Sequence, residues 1–503
     1  MKKSKMLLVS AMLSVVLVVS LLGGCSSSTK TTDEPKTTNG GETTSSEVSL
    51  KILFPGDPPK DLDAVNSAIE KKLKADGLNI KLNYTWVPWD TYWNKQSLVV
   101  AAGESYDLTW SHVSMLPQSA AKNVLMPIDD VLKSSGPELL KNTPDYVWKA
   151  AQVGGKTYAI PRVVPSAQSN DTYQIRGDLR KKYGLPEIKS ADDFEKYLQA
   201  VKTNDPSITP LFGTDGLVRE FAPSYYTNGD FAQSFFYVDV NDKPLTFKNM
   251  FESDAYEKVV NKSRDWYKKG YLVQDPLAVK DQGGDFTRGK IAAMVSNILR
   301  PTEYIDALKT NLPGAELEFV QFAPDQPKYI FNSADNLLAV MSNSTHAKEA
   351  VQFVNWVHSS QENYDLFSLG VKDVNYKVDG NSASYEGIPA DKQYLPISWA
   401  WTDMRFHKFS KHLTPQQLET IKNWDKGAIQ TPLIGFSIDT EPVKTEVAKI
   451  TTILKEYNPQ LLAGMVDFSS VKDKYLSRLK DAGIDKVLAE YQKQLDTYLA
   501  SNK

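Results

Sequence analysis

The chain has 503 residues, a single cysteine and a formal net charge of −3. One cysteine excludes an intramolecular disulfide and a cysteine metal cluster. With no basic stripe or long charge run, nucleic acid is excluded as an expected partner. Once the N-terminal segment is set aside, about 455 residues remain, too many for one core, and they imply at least two lobes.

The N-terminus begins with a basic head, Met1-Lys2-Lys3-Ser4-Lys5, followed by the apolar run Met6 to Leu22 and then Gly23-Gly24-Cys25. A basic region, an apolar region and small residues before a cut make a secretory signal over 1–24. The apolar run is at the lower edge of what spans a bilayer, so a plain membrane anchor is the alternative. The cysteine decides between them: the segment resembles a bacterial lipoprotein signal, in which Cys25 becomes the acylated N-terminus. Several acyl chains hold a protein on a membrane where one does not. Residues 25–47 then read as a disordered tether, because 26–47 carry no large apolar side chain. Such a coil averages roughly 25 Å end to end and extends to about 70 Å.

"EVSLKILF" alternates Val48, Leu50, Ile52 and Phe54 against polar residues and predicts a strand. Leu62, Val65, Ile69 and Leu73 predict a helix stopped at Gly77, and Leu78 to Trp86 alternate as a second strand. A second helix is expected from an N-cap at Asp90 to about Gly103, and "YDLTW" reads as a third strand. Strand–helix–strand–helix–strand predicts an open, mostly parallel sheet with ligands beyond the carboxyl ends of its strands.

"VGGKTYAIP" holds Gly155-Lys156-Thr157, the ending of a phosphate-binding loop. That loop needs an earlier glycine where Ala150 stands, and a following helix where Tyr158-Ala159-Ile160-Pro161 reads as a strand. "GDFTRGK", Gly284 to Lys290, lacks the hydroxyl residue after its lysine and also runs into a strand. Neither is read as a phosphate loop, and the first is read as a Gly154-Gly155 turn between two short extended pieces. Further on, Ser190-x-x-Asp193 predicts a capped helix, "ITPLFG", "IAAMVSN" and "ELEFVQF" predict strands, and 214–250 form an aromatic, turn-rich insertion. "DNLLAVM" reads as a return strand, and the last 130 or so residues as mainly helical.

"AAGESYDLTW", "LMPIDDVL", "VGGKTYAIP", "RGDLRKKYGLPEIKSADDFEKYLQAVK", "FTRGKIAAMVSN" and "HAKEAVQFVNWVHSSQENYDLFSLG" occur in the order seen in family 1 extracellular solute-binding proteins, the capture subunits of carbohydrate ABC importers. The tail, from "GFSIDTEPVKTEVAKI" to "LAEYQKQLDTYL", resembles the C-terminal domain of unknown function of LplA-type lipoproteins of Gram-positive bacteria. The resemblance implies an α/β, two-lobed, periplasmic-binding-protein-like fold (type II, Venus-flytrap) with a mainly helical C-terminal extension. Lobe one is expected over 48–162 and 323–370, lobe two over 163–322, and the helical domain over 371–503, packed on the lobes.

The implied function is capture of a carbohydrate, an oligosaccharide, for an ABC permease, by a monomer lipid-anchored on the extracellular face of the cell membrane. No cofactor and no metal are expected. Sugars offer hydroxyls to polar groups and C–H faces to aromatic rings, so the candidates are residues of those types at strand ends and crossings. They are Asp57, Trp110, His112, Arg162, Tyr225, Tyr226, Asn297, Arg300, Asp335, Asn336, Trp399, Trp401 and Arg405. Trp399 and Trp401, two apart, would face one side of an extended segment. Trp86, Trp89 and Trp93 are assigned to packing of lobe one. The alternatives are a surface sugar sensor or adhesin without transport, and a secreted glycoside hydrolase, which needs a facing pair of carboxylates. No HExxH or GxSxG motif is present, and the five histidines lack metal-like spacing.

Overall fold

The computed structural model describes residues 46–168, 171–227, 234–299, 301–396 and 398–501. Cys25, the signal, nearly all of the tether and Arg300 lie outside the described residues.

In chain order the first lobe is built from β1 (Val48–Pro55), α1 (Leu62–Ala75), β2 (Ile80–Val87), α2 (Tyr92–Ala101), β3 (Leu108–His112) and β4 (Ala159–Pro161). The second takes β5 (Thr172–Arg176), α3 (Ala191–Asn204), β6 (Thr209–Phe212), α4 (Asp254–Lys268), β7 (Ile291–Ser296), α5 (Pro301–Asn311) and β8 (Leu317–Val320). The chain then returns through β9 (Asn336–Val340) and α6 (Ala347–Val357). The first sheet has the order β2-β1-β3-β9-β4 and the second β8-β5-β7-β6.

The apolar alternation places these elements. Leu50, Ile52 and Phe54 are buried while Lys51 is exposed, and Val65, Ile69 and Leu73 turn one face of α1 into the same core. β1, β2 and β3 pair in parallel, as expected. β9 is antiparallel to both β3 and β4, because it arrives from the other lobe, and β5 is likewise antiparallel to its neighbours. The cap of α2 stands one residue later than expected, at Thr91, and Asp90 does not bond to it. Ser190 does cap α3, accepting from the Asp193 amide at 3.1 Å.

The glycine turn resolves simply. Gln152–Val153 pairs antiparallel with Lys156–Thr157 around Gly154 and Gly155, whose φ angles are +57° and +77°. Two positive φ values are what a two-residue hairpin of this twist requires. Lys156 is exposed, no helix follows, and the amide of Thr157 donates to the Asp129 carboxylate. Gly284 lies in a short helix that ends before β7, the reverse of the strand-then-helix order a phosphate loop needs.

The insertion is more regular than its sequence suggests. Tyr225–Tyr226, Phe236–Asp239 and Phe247–Asn249 form a three-stranded antiparallel sheet packed on Tyr491 of the last helix.

Residues 371–503 contribute to three cores instead of building one of their own. Trp401 belongs to the core of lobe one. Phe409, Leu413, Ile421 and Trp424 join Met294, Ile298 and Leu308 beside the second sheet. The last three helices, α7 (Lys444–Leu462), α8 (Phe468–Asp481) and α9 (Ile484–Ser501), share one continuous core with lobe two. At its centre the buried Asn458 side chain accepts from both Tyr256 of α4 and Tyr475 of α8. The apolar stripe on α9 points inward through Ile484, Val487, Tyr491 and Leu495.

Candidate functional site

Among the described residues the chain passes between the lobes three times, over 162–168, 321–335 and 398–409. The first and third passes touch in a bridge between Val163 and Asp403. Arg219, fully buried, binds the second pass through the carbonyls of Gln326 and Pro327 and the first through the Gln168 side chain. Beside these passes lies a cleft of about 1870 Å³. The carboxyl ends of β3, β6 and β7 all open into it, at His112, Phe212 and Ser296–Asn297. This is the edge at which open α/β sheets take ligands. Gly213 makes the turn off β6 at φ +86°, where a Cβ would meet Val295 at 2.9 Å.

The lobe-one wall carries His112, Asp335, Asn336 and Trp399. The Asn336 side-chain oxygen accepts from the indole of Trp110 at 3.0 Å, which fixes its orientation, and His112 Nδ1 bonds Ser114. Arg162 holds the Asp335 carboxylate with two bonds of 2.8 Å and donates to the Trp399 carbonyl at 2.7 Å. One guanidinium therefore ties all three passes at the hinge. Burial pushes the Asp335 carboxyl up, but the charge and bonds of Arg162 outweigh it and hold the group below the usual carboxylate range.

The lobe-two wall carries Tyr225, Tyr226 and Asn297. The Tyr225 ring stacks on Tyr237 with centroids 4.0 Å apart, and burial raises its hydroxyl pKa. Asn297 also stabilises its own turn, accepting from the Leu299 amide at 2.9 Å.

Eight of the thirteen candidates thus line one cleft: His112, Arg162, Tyr225, Tyr226, Asn297, Asp335, Asn336 and Trp399. Four do not. Trp110 sits behind the wall at 6 % exposure and supports Asn336. Asp57 is exposed after β1 and does not line the cleft. Trp401 is 2 % exposed and packs on Phe353 and Phe367. The segment Ser398–Trp401 is a 3-10 turn, not an extended piece, so rings two apart point to different sides. Trp399 faces the cleft and Trp401 the core. Arg405 is turned onto Asp403, at 2.6 Å, and onto the His358 carbonyl, away from the cleft. The thirteenth, Arg300, is outside the described residues.

Residues not anticipated from sequence complete the lining. A hairpin of Lys377–Asp379 and Ser382–Ser384 brings Tyr385 and Glu386 to the cleft, and α5 brings Asp306, bonded to His412 at 2.9 Å. His407 also lines it, its pKa lowered to about 4 by burial. Apart from Asp306 they lie in 371–412, a segment with no periodicity to read, which only the folded chain brings back over the sheets. Among the described residues, no group of three or more His, Cys, Asp or Glu could hold a metal ion.

The model of the bacterial extracellular solute-binding protein family matches residues 68–383. The chain belongs to that family. Its members are binding proteins, not enzymes. A domain of unknown function, DUF3502, matches residues 432–500, the three helices on lobe two. The chain is similar to a carbohydrate ABC transporter substrate-binding protein of Streptococcus pneumoniae, 23 % identical over 89 % of this chain and 90 % of that one. It is also similar to lipoprotein LipO of Bacillus subtilis, 21 % identical over 86 % and 89 %. Among solved structures, the N-glycan transport solute-binding protein NgtS of Streptococcus pneumoniae superposes with a TM-score of 0.73 at 19 % identity, covering 91 % of this chain and all of that one. The same protein in complex with Man1GlcNAc gives 0.72. The fold is that of the two-lobed solute-binding proteins, with a helical C-terminal region.

Proposed function

We propose that this solute-binding protein captures an oligosaccharide between its lobes and delivers it to an ABC permease, acting as a monomer held on the extracellular face of the cell membrane through lipidated Cys25. The observation that carries this is the cleft. At about 1870 Å³ it is roughly twice the upper end of an ordinary small-ligand pocket, about 1,000 Å³, so it suits several linked sugar units. Its walls set Trp399 and Tyr225 as stacking faces among His112, Asn297, Asp335 and Asn336 as hydrogen-bonding groups. The names of the relatives, a carbohydrate transporter subunit and an N-glycan transport protein, support the same class.

Closure of two lobes about a hinge completes such a site. Arg162, joined to Asp335 and the Trp399 carbonyl, keeps the three passes in register during that motion. Micromolar capture corresponds to about −8 kcal/mol, within reach of a few stacked and hydrogen-bonded contacts. The test is a thermal-shift screen with neutral oligosaccharides of plant and microbial origin. A ligand at a hundred times its Kd adds about 2.7 kcal/mol to the folded state. Stabilisation by another solute class and by no oligosaccharide overturns the proposal.

A further inference from the structure

Trp89 packs on lobe one with only part of its surface. It stands two positions past the end of β2, after Pro88, and is 50 % exposed. Among the described residues it is the one tryptophan exposed to that degree. Its ring is nevertheless held. It meets Trp110 edge-on with centroids 5.4 Å apart and lies nearly parallel to Trp399, at 6.0 Å and 25°. Trp110 is buried and Trp399 lines the cleft. A row of indoles therefore starts inside the ligand cleft and ends in water.

Two features make the outer end of that row a ligand surface. A large rigid ring already fixed by its neighbours offers flat apolar area with little ordering cost on binding. Exposed apolar area continuous with a binding groove marks contact, where an isolated exposed side chain would not. The next residue in the chain, Asp90, is exposed and takes part in no ion pair among the described residues, so its carboxylate is open to hydroxyl donors. A flat apolar face with a carboxylate on the adjoining residue suits a pyranose, which carries a C–H face and equatorial hydroxyls on one ring.

We propose that Trp89, with Asp90, forms an outer subsite that stacks the distal unit of an oligosaccharide whose inner units occupy the cleft against Trp399. This inference rests on the carbohydrate reading above and adds a length rule to it. Affinity rises with chain length up to the unit that reaches Trp89, and Trp89 supplies that last increment alone. Short ligands, held wholly inside the cleft, do not depend on it.

The experiment titrates the purified protein calorimetrically with cello-, malto-, manno- and chito-oligosaccharides of two to six units. The series that binds wild type is then repeated with Trp89→Ala, Trp89→Leu, Trp89→Phe and Trp399→Ala. Melting temperatures are measured alongside. For Trp89→Ala we expect a loss of about tenfold for the longest ligand, no change for the shortest that binds, and little change in melting. Trp89→Leu keeps apolar volume without a flat face and shows the same selective loss, so it remains informative if the alanine variant folds poorly. Trp89→Phe keeps a ring and recovers most of the affinity. Trp399→Ala weakens every length. Equal loss at all lengths in the Trp89 variants means that the ring only props Trp399, and unchanged affinity at all lengths means that its outer face serves something else; either overturns the inference while leaving oligosaccharide capture standing. A wild type that binds no member of any series overturns both.

Discussion

Trp399 and Trp401 are neighbours in sequence that serve different purposes, and one pair of substitutions separates them. The Trp401 indole is enclosed by Phe54, Phe353 and Phe367, the last with centroids 4.4 Å away. Burying an indole of up to about 250 Å² at 25 cal/mol per Å² amounts to about 6 kcal/mol, an upper bound. Truncation of a buried tryptophan costs about 3–5 kcal/mol, within that bound. Trp401→Ala should therefore unfold lobe one several degrees earlier while the folded fraction keeps its ligand affinity. Trp399 is only partly buried and lines the cleft, so Trp399→Ala should weaken oligosaccharide binding by about 1–3 kcal/mol with a smaller effect on melting. The assays are differential scanning calorimetry without ligand and titration calorimetry on the same preparations. Normal melting with lost affinity in Trp401→Ala would refute the assignment of these two rings.

Three further outcomes follow from the same structure. His407 titrates at about 4, below its ordinary value near 6.5, because burial disfavours its charge. The unfolded chain thus binds the extra proton between those values, so this part of the stability is complete above pH 6.5 and is lost as pH falls to about 4; His407→Gln should flatten that limb of a stability–pH curve. Lys156→Ala at the exposed hairpin should shift stability by less than about 0.5 kcal/mol, and neither it nor wild type should retain ATP or GTP in a filter-binding assay. Cys25→Ser should abolish incorporation of labelled palmitate and move the protein from the membrane fraction to the medium, or leave it unprocessed; continued labelling contradicts the anchor.

The two lobes were legible because their strands and helices announce themselves by period. Leu50, Ile52 and Phe54 in β1 and Val65, Ile69 and Leu73 in α1 need no partner to be recognised. The Gly154-Gly155 turn was legible for the same local reason. The cleft was legible where a strand end or crossing marks it, as at His112, Asn297, Asp335 and Asn336, and in part from aromatic, turn-rich segments, as at Tyr225, Tyr226 and Trp399. Arg405 was misplaced because its partner, Asp403, lies two residues away and captures it locally, which no spacing rule reveals. Trp401 was misplaced because a 3-10 turn replaced the extended backbone assumed for it. Trp89 packs on Trp110 and Trp399, in keeping with its assignment to lobe one, but is half exposed, which its place after a strand end could have signalled. The C-terminal helices were legible as helices, but their shared core with lobe two depends on Tyr256, Asn458 and Tyr475, which meet only in the folded chain.

The measurement that bears most directly on oligosaccharide capture between the lobes is small-angle X-ray scattering of the purified protein, titrated with the best oligosaccharide from the screen and with its constituent monosaccharide. A cleft that needs several units across both walls predicts a fall in radius of gyration that saturates with the oligosaccharide and is absent with the monosaccharide at equal concentration. An unchanged radius at saturating oligosaccharide, or the same contraction with the monosaccharide, would contradict it.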